Sequence, residues 1–180
     1  LGAGGVCVFF FLRIRRPLRS TQCRSSAASD VYKRQVVDVR TIAASRYNPQ
    51  YNEAELHNSL SREGIEYIRM KGLGGLRHTT KASPNTAWRN AAFRGFADYM
   101  QTAEFSENIE RLIKVAAEKR TAIMCAEAVP WRCHRSLIGD ALLVRNVPVV
   151  DIVSERAGKP HILTSFARVD GQRITYPNGG

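Results

Sequence analysis

The sequence predicts a three-layer α/β domain in which helices flank a largely parallel sheet. From residue 36 onwards, short apolar runs alternate with amphipathic helical patterns. This alternation is typical of parallel strands that are joined by crossover helices. The apolar runs have the length of buried strands, and residues 36–180 are enough for one domain with its own core.

The individual elements follow from local patterns. Asn52 and Glu55 have the spacing of a capping box at a helix start, and Gly64 ends that helix. After residue 153 the apolar periodicity fades, and in the extension 154–180 only a small hairpin around Asp170-Gly171 is predicted. In chain order we predict strand Val36–Val39, helix Asn52–Glu63, strand Ile65–Met70, helices Phe93–Met100 and Thr102–Lys119, strand Thr121–Cys125, helix Ser136–Val144 and strand Val147–Val153.

The first 35 residues are predicted to be an artefact. Ser25–Gln35 is the peptide that a transposon adapter used for sequencing libraries encodes when it is read through as protein. We therefore expect residues 1–35 to be a disordered leader without cooperative contacts to a single domain at 36–153. The leader contains seven Lys/Arg and one acid, so residues 36–180 keep only +5 of the net charge of +11. This moderate excess weakens the case for a nucleic-acid-binding protein.

The apolar runs and the cysteine content indicate the cellular compartment. No apolar run approaches the roughly 20 residues that span a bilayer. Outside the leader only Cys125 and Cys133 occur, which does not suggest a secreted disulfide scaffold. We therefore expect a cytoplasmic protein.

The stretch Thr121–Val144 carries the candidate chemistry. A buried strand there leads through a short loop into a helix that opens near His134, and open parallel sheets place their sites at such junctions. The loop offers two thiols, a carboxylate, an imidazole and a guanidinium within eleven positions. We take Cys133, Cys125, Glu127 and His134 as catalytic candidates and Arg135 as a ligand-binding candidate; Trp131 lies in the same loop.

Residues after two earlier strands could face the same crevice. Asp38 and Arg40 lie at the carboxyl end of the first predicted strand, and Arg46 lies in the following loop. They are candidates for ligand binding, although a structural ion pair explains Asp38 and Arg40 equally well. The glycine cluster at 72–75 is better explained by a tight turn that needs a positive φ than by phosphate binding.

Several blocks resemble the domain-of-unknown-function family 488. These are Val36–Arg40 with Ser45–Pro49, Leu73–Arg77, Trp88–Asn90 with Gly95–Met100, and Met124–Glu127 with Cys133–Arg135. The resemblance implies a small bacterial or archaeal α/β protein, without an established reaction. Family members open with a strand that carries a Thr-Ile-Gly-His-Ser-like motif and with a following helix, and the leader occupies that place here. The resemblance places Asp38, Arg40, Cys125, Glu127, Cys133, His134 and Arg135 in the family's site.

Three functions fit these residues. The first is an enzyme or small-ligand site for an anionic, phosphate- or nucleotide-like substrate, held by arginines and a helix N-terminus. The second is a metal site built from Cys125, Cys133 and His134 with Glu127, although their spacing matches no common zinc pattern. The third is a nucleic-acid-binding module that uses the loop with Trp88, Arg89 and Arg94. In the first case Cys133 should be the more reactive thiol, because it lies at a helix opening among cationic residues.

Overall fold

Six strands form one sheet in the computed structural model, which describes residues 7–9, 34–127, 132–154 and 157–178. The first five strands are mutually parallel, and the sixth is antiparallel to the fifth. The prediction of a largely parallel sheet is therefore confirmed. In chain order the strands are β1 (Cys7–Phe9), β2 (Arg34–Asp38), β3 (Ile65–Arg69), β4 (Arg120–Met124), β5 (Val149–Ser154) and β6 (Ala157–Pro160), and their order in the sheet is β3-β2-β4-β1-β5-β6.

Helices cover both faces of this sheet. On one face, Val36 of β2 packs with Leu56 of the first helix in a small apolar cluster. On the other face, the neighbouring Val37 belongs to the main core with residues of the remaining helices. Because successive strand residues point to opposite faces, these clusters confirm the three layers. The helices are α1 (Glu53–Arg62), α2 (Ala91–Tyr99), α3 (Ala103–Glu118) and α4 (Arg135–Leu143). None of them is long and apolar enough to cross a membrane within the part of the chain that the structure describes.

The start of α1 differs from the predicted capping box. Asn52 is the N-cap residue, but its side chain makes no cap hydrogen bond. Its Oδ1 instead accepts from the backbone N–H of Ser45 at 2.7 Å and so fixes the loop that precedes the helix. The helix position was predicted correctly, and the capping interaction was wrong because the loop competes for the same oxygen.

Five residues of the predicted leader lie in the sheet. The backbone of Cys7–Phe9 pairs with β4 on one side and β5 on the other, and Arg34 and Gln35 begin β2. Gln35 is only 3% exposed, and its Nε2 donates to Val115 O and Thr121 Oγ1 at 2.7 Å each. The expectation of no contact with the domain is corrected for these residues, because β4 and β5 each have a ladder edge that an extended segment satisfies. The rest of the expected leader, residues 1–6 and 10–33, lies outside the described residues.

The C-terminal extension packs on the domain. It contains the predicted hairpin, formed by β7 (Arg168–Asp170) and β8 (Arg173–Thr175), with Gly171 at φ 59° in the turn. Ile174 and Tyr176 are buried in the main core, and β6 lengthens the sheet. The extension therefore adds to the core of the domain that precedes it.

Candidate functional site

The candidate site lies where the strand connections diverge. β2 and β4 are neighbours; the chain leaves β2 towards α1 on one face and leaves β4 towards α4 on the other. Such a switch point opens a crevice at the carboxyl ends of the strands, and ligands of open α/β sheets bind there. A cleft of about 400 Å³ lies at this position. Its wall includes Arg40, Cys125, Glu127, Arg132, Cys133 and His134.

Two thiols and an imidazole converge in the wall of the cleft. His134 Nδ1 lies 3.6 Å from Cys133 Sγ and 4.0 Å from Cys125 Sγ. The three donor atoms all lie within 4.8 Å of one another. Cys125 follows the end of β4 and Cys133 precedes α4, so the adjacency depends on the strand–loop–helix path that the sequence predicts.

The pKa values of the two thiols are shifted in opposite directions. Cys125 donates a hydrogen bond to Cys133, and this bond is the largest cause that lowers the pKa of Cys133 to about 6; burial opposes it, and the Arg135 charge adds to it. The same hydrogen bond, together with burial, raises the pKa of Cys125 to about 12, although His134 acts in the opposite direction. These shifts favour the thiolate form at Cys133 and the thiol form at Cys125.

Arg135 fixes the Cys133 thiolate from the first turn of α4. Its side chain is almost fully buried, and its Nε donates to Cys133 Sγ at 3.2 Å. Its backbone N–H also donates to this sulfur, and Nη2 donates to Glu127 O at 2.6 Å. The positive end of the helix and a guanidinium thus meet at one sulfur, which is the environment that stabilises a thiolate. Arg135 was expected to bind ligand, and its described contacts are to the protein.

Gly75 makes room for His134. A Cβ at residue 75 would lie 2.3 Å from His134 Nδ1, and the imidazole packs on its other side against Phe96, with ring centroids 4.9 Å apart. The cluster Gly72–Gly75 was expected to need a positive φ, but Gly64 and Gly171 are the glycines with positive φ in the described part of the chain. The reason for these glycines is close packing instead, since Cβ atoms at Gly72 and Gly74 would also collide with side chains.

Asp38 and Arg40 form a buried ion pair beside the cleft. Asp38 accepts from Nε and Nη2 of Arg40 and, at 2.6 Å, from the hydroxyl of Tyr67. Burial and this bond to Asp38 raise the pKa of Tyr67. Asp38 is fully buried, whereas Arg40 reaches the cleft wall. Arg46 is exposed and does not belong to the wall.

A family profile matches residues 25–142 and carries the description "Domain of unknown function DUF488". This match covers more than half of the chain. The chain belongs to the DUF488 family. The match begins at residue 25, within the stretch expected to be adapter sequence, and includes β2, β4 and most of α4. Searches of curated proteins and of solved structures found no match.

Sequence reasoning missed part of this DUF488 site. Arg132 and Asn90 line the cleft, and the position of Arg132 next to Cys133 could have indicated the former. Glu127 was expected as an acid or base; its residue is exposed at the cleft wall, and its backbone oxygen accepts from Arg135. Trp131 lies outside the described residues.

Trp88 and Arg94, two of the three residues that suggested nucleic-acid binding, are partly buried, whereas Arg89 is exposed. The Trp88 ring stacks on Phe93 with centroids 4.7 Å apart and contacts Tyr176 at 5.5 Å. Arg94 donates twice to the backbone oxygen of Trp88. These contacts occupy the aromatic face and the guanidinium that base stacking and phosphate binding would need.

Cys125, Cys133 and His134 are also the described residues whose chemistry suits a metal ion. Two sulfurs and one imidazole nitrogen are the ligands that soft or borderline cations such as zinc prefer. Their grouping within 4.8 Å keeps the metal-binding alternative as a prediction. A chelator control therefore belongs to every test of the thiols.

Proposed function

We propose that this chain is an enzyme that acts on a small anionic molecule in the cleft, with Cys133 as its nucleophile. The observation that supports this most is the Arg135 Nε contact of 3.2 Å to Cys133 Sγ, in the wall of an open cleft. Thiolates are the nucleophilic form of cysteine, and an adjacent cation at a helix start favours that form at neutral pH. A thiolate that served only packing would not need a fixed guanidinium.

The neighbouring groups have separate roles in this proposal. Cys125 donates to the Cys133 sulfur and keeps it ionised. His134 Nδ1 lies between the two sulfurs and can carry a proton to or from a reacting group. Glu127 lies at the cleft wall, where its carboxylate can act as a second acid or base or orient the substrate.

The charge around the cleft supports an anionic, phosphate- or nucleotide-like substrate. The positive charge of Arg40 is compensated by its ion pair with Asp38, and that of Arg135 by its contact with the Cys133 thiolate. Arg132 is exposed in the wall, so it is the cation best placed to meet a substrate oxyanion. A bacterial cytoplasm is the compartment in which the free thiols Cys125 and Cys133 would stay reduced.

Ligand titration of two matched arginine variants tests this proposal. Arg132→Gln should weaken binding of inorganic phosphate or a mononucleotide at least ~5-fold, the loss of one charge-assisted contact. Arg46→Gln removes another exposed charge, which lies outside the cleft wall, and should leave binding unchanged. Equal effects of both variants, or equal affinity for neutral nucleosides, would refute the anionic substrate. Tight binding only to long DNA or RNA, with a steep salt dependence, would favour the nucleic-acid alternative instead.

A further inference from the structure

We propose that Cys125 and Cys133 form a dithiol couple that reduces small disulfides of anionic thiols, with Cys133 as the attacking sulfur and Cys125 as the resolving one. This inference rests on the proposed function, because it uses the same nucleophile and the same cleft. It adds the substrate class and assigns Cys125 a chemical step.

The position of the two sulfurs fits this chemistry. Both residues are free thiols and both line the cleft. Their sulfurs lie within 4.8 Å of each other, and a disulfide brings sulfurs to about 2.0 Å. Closure therefore needs a shift of less than ~3 Å. Cys125 follows the last residue of β4 and Cys133 precedes α4, so neither thiol belongs to the paired residues of the sheet.

The surroundings of the two thiols differ in the way that ordered attack requires. Cys133 Sγ accepts from Arg135, so it is held as the thiolate. Cys125 Sγ lies 4.0 Å from His134 Nδ1 and has no guanidinium partner among the described contacts. An attacking thiol must be ionised at the ambient pH, whereas a resolving thiol needs to ionise only in the second step.

The reaction balances in two exchange steps. In the first, the Cys133 thiolate attacks one sulfur of the substrate disulfide, a Cys133–substrate disulfide forms, and one substrate thiolate leaves. In the second, Cys125 loses its proton to His134 Nδ1 or to the departing thiolate and attacks Cys133 Sγ. The Cys125–Cys133 disulfide forms and the second substrate thiol leaves. The substrate gains two electrons and the protein loses two; an external dithiol returns the protein to its reduced form through the same exchanges.

The position of His134 also suits the second step. His134 Nδ1 lies 4.0 Å from Cys125 Sγ and 3.6 Å from Cys133 Sγ. It is therefore close enough to take the Cys125 proton as that sulfur attacks Cys133.

The cleft also indicates which disulfides should react. Arg132 in the wall favours an acidic substituent close to the attacked sulfur. Ile42 and Leu76 line the same cleft and are 65% and 66% exposed, so they offer an apolar surface to the rest of the molecule. Glutathione disulfide, with its carboxylates, is a suitable probe, and the cationic disulfide cystamine is its matched opposite.

The test follows the reduced, chelator-treated chain with glutathione disulfide by mass spectrometry and peptide mapping. The unmutated chain should form the Cys125–Cys133 disulfide and release two glutathione molecules per chain. Cys125→Ser keeps a hydroxyl donor to the thiolate but cannot resolve, so the Cys133–glutathione disulfide should accumulate. Cys133→Ser should react at least ~10-fold more slowly, because the remaining thiol lacks the stabilised thiolate. Peptide mapping separates these products from those of Cys7 and Cys23, and in the unmutated chain it needs no substitution that could disturb folding.

Each failure has a separate meaning. A mixed disulfide that persists on Cys133 in the unmutated chain would overturn the dithiol inference and leave Cys133 as the nucleophile. Reaction that starts at Cys125 would overturn both. Full intramolecular disulfide formation that is as fast with cystamine as with glutathione disulfide would support the dithiol couple and remove the anionic substrate. If the fold makes Cys133 the attacking thiol, Cys133 should no longer react faster than Cys125 in urea. A faster reaction of Cys133 that persists in urea would overturn the role of the fold.

Discussion

Alkylation of Cys133 should follow an unusually acidic titration. The pKa of this thiol is lowered to about 6, and an ordinary cysteine has a pKa of about 8.5. At pH 6.5 these values give thiolate fractions of about 0.75 and 0.01, a ratio of roughly 75. Because a more acidic thiolate is a weaker nucleophile, with a Brønsted slope of about 0.45, roughly 13-fold of this advantage is lost. Cys133 should therefore react about 6-fold faster than an ordinary free thiol at that pH.

The labelling rate of Cys133 should increase with pH. Since the charged form reacts, the labelling rate should rise with pH through about 6 and become level above about 7. A neutral reagent such as iodoacetamide is suited to this profile, because it is not attracted by Arg132 in the cleft wall and its rate therefore reports the thiolate fraction of Cys133. The profile is best recorded on Cys125→Ser after chelator treatment, with Cys133→Ser as the blank.

Arg135→Lys tests the origin of the low pKa. Lysine keeps the charge but cannot hold Cys133 Sγ and Glu127 O at once as the planar guanidinium does. The midpoint should move at least ~1 pH unit upwards, towards the ordinary thiol value. A midpoint near 8.5 in the chain with an intact Arg135 would refute the thiolate assignment. Labelling that begins only after a chelator is added would show that a metal ion holds the sulfurs.

Two further predictions concern stability and site geometry. Burial disfavours the charged form of His161, but hydrogen bonds to Asp140 and Asp151 outweigh it and raise the pKa to about 9. The contribution of His161 to the free energy of unfolding should thus be complete below about pH 6.5 and fall by about 3 kcal/mol as the pH rises through 9. Urea titrations of the unmutated chain and of His161→Gln at matched pH isolate this contribution, because the lowered pKa of Cys133 changes stability in the opposite direction over the same range. Gly75→Ala would place a methyl group 2.3 Å from His134 Nδ1 and so displace the imidazole. The mixed disulfide on Cys133, followed by mass spectrometry, should then resolve several-fold more slowly. An unchanged rate would exclude His134 from the resolving step.

The sequence was sufficient to predict the helices and strands whose apolar residues recur with a clear period. The order of strands and helices from β2 to β5 and the hairpin after residue 167 were predicted, because alternation and amphipathicity are properties of the local sequence. The adjacency of β2 and β4 was not predictable to the same degree, since strand order depends on crossovers between distant segments. Consequently the meeting of Arg40 and Cys125 at one cleft was only a conditional expectation.

Contacts that depend on tertiary packing were missed or misread. The glycines at 72–75 have an ordinary local signature, and their role comes from side chains that approach them from α3, the β2–α1 loop and the residue before α4. The burial of Tyr176 beside Asp140 was equally invisible, because the hydroxyl-to-carboxylate bond of 2.8 Å joins positions that are far apart in the chain. For β1, the adapter match at Ser25–Gln35 was extended to all residues before it, and this excluded a run that pairs with β4 and β5 in the sheet. An extended segment with apolar side chains can pair between two buried parallel strands, whatever the origin of its sequence.

Helix α4 links the C-terminal extension to the thiol pair. Arg135 belongs to the first turn of α4, and the same helix carries the buried Asp140, to which His161 and Tyr176 of the extension bind. The helix is therefore anchored at its middle by the C-terminal segment, while its first turn holds the Cys133 sulfur. If this anchor fixes the position of Arg135, then His161→Gln should loosen the contact to Cys133 and move the midpoint of Cys133 labelling to higher pH. The C-terminal extension would then serve the site by positioning α4, although none of the extension residues that the structure describes belongs to the cleft wall.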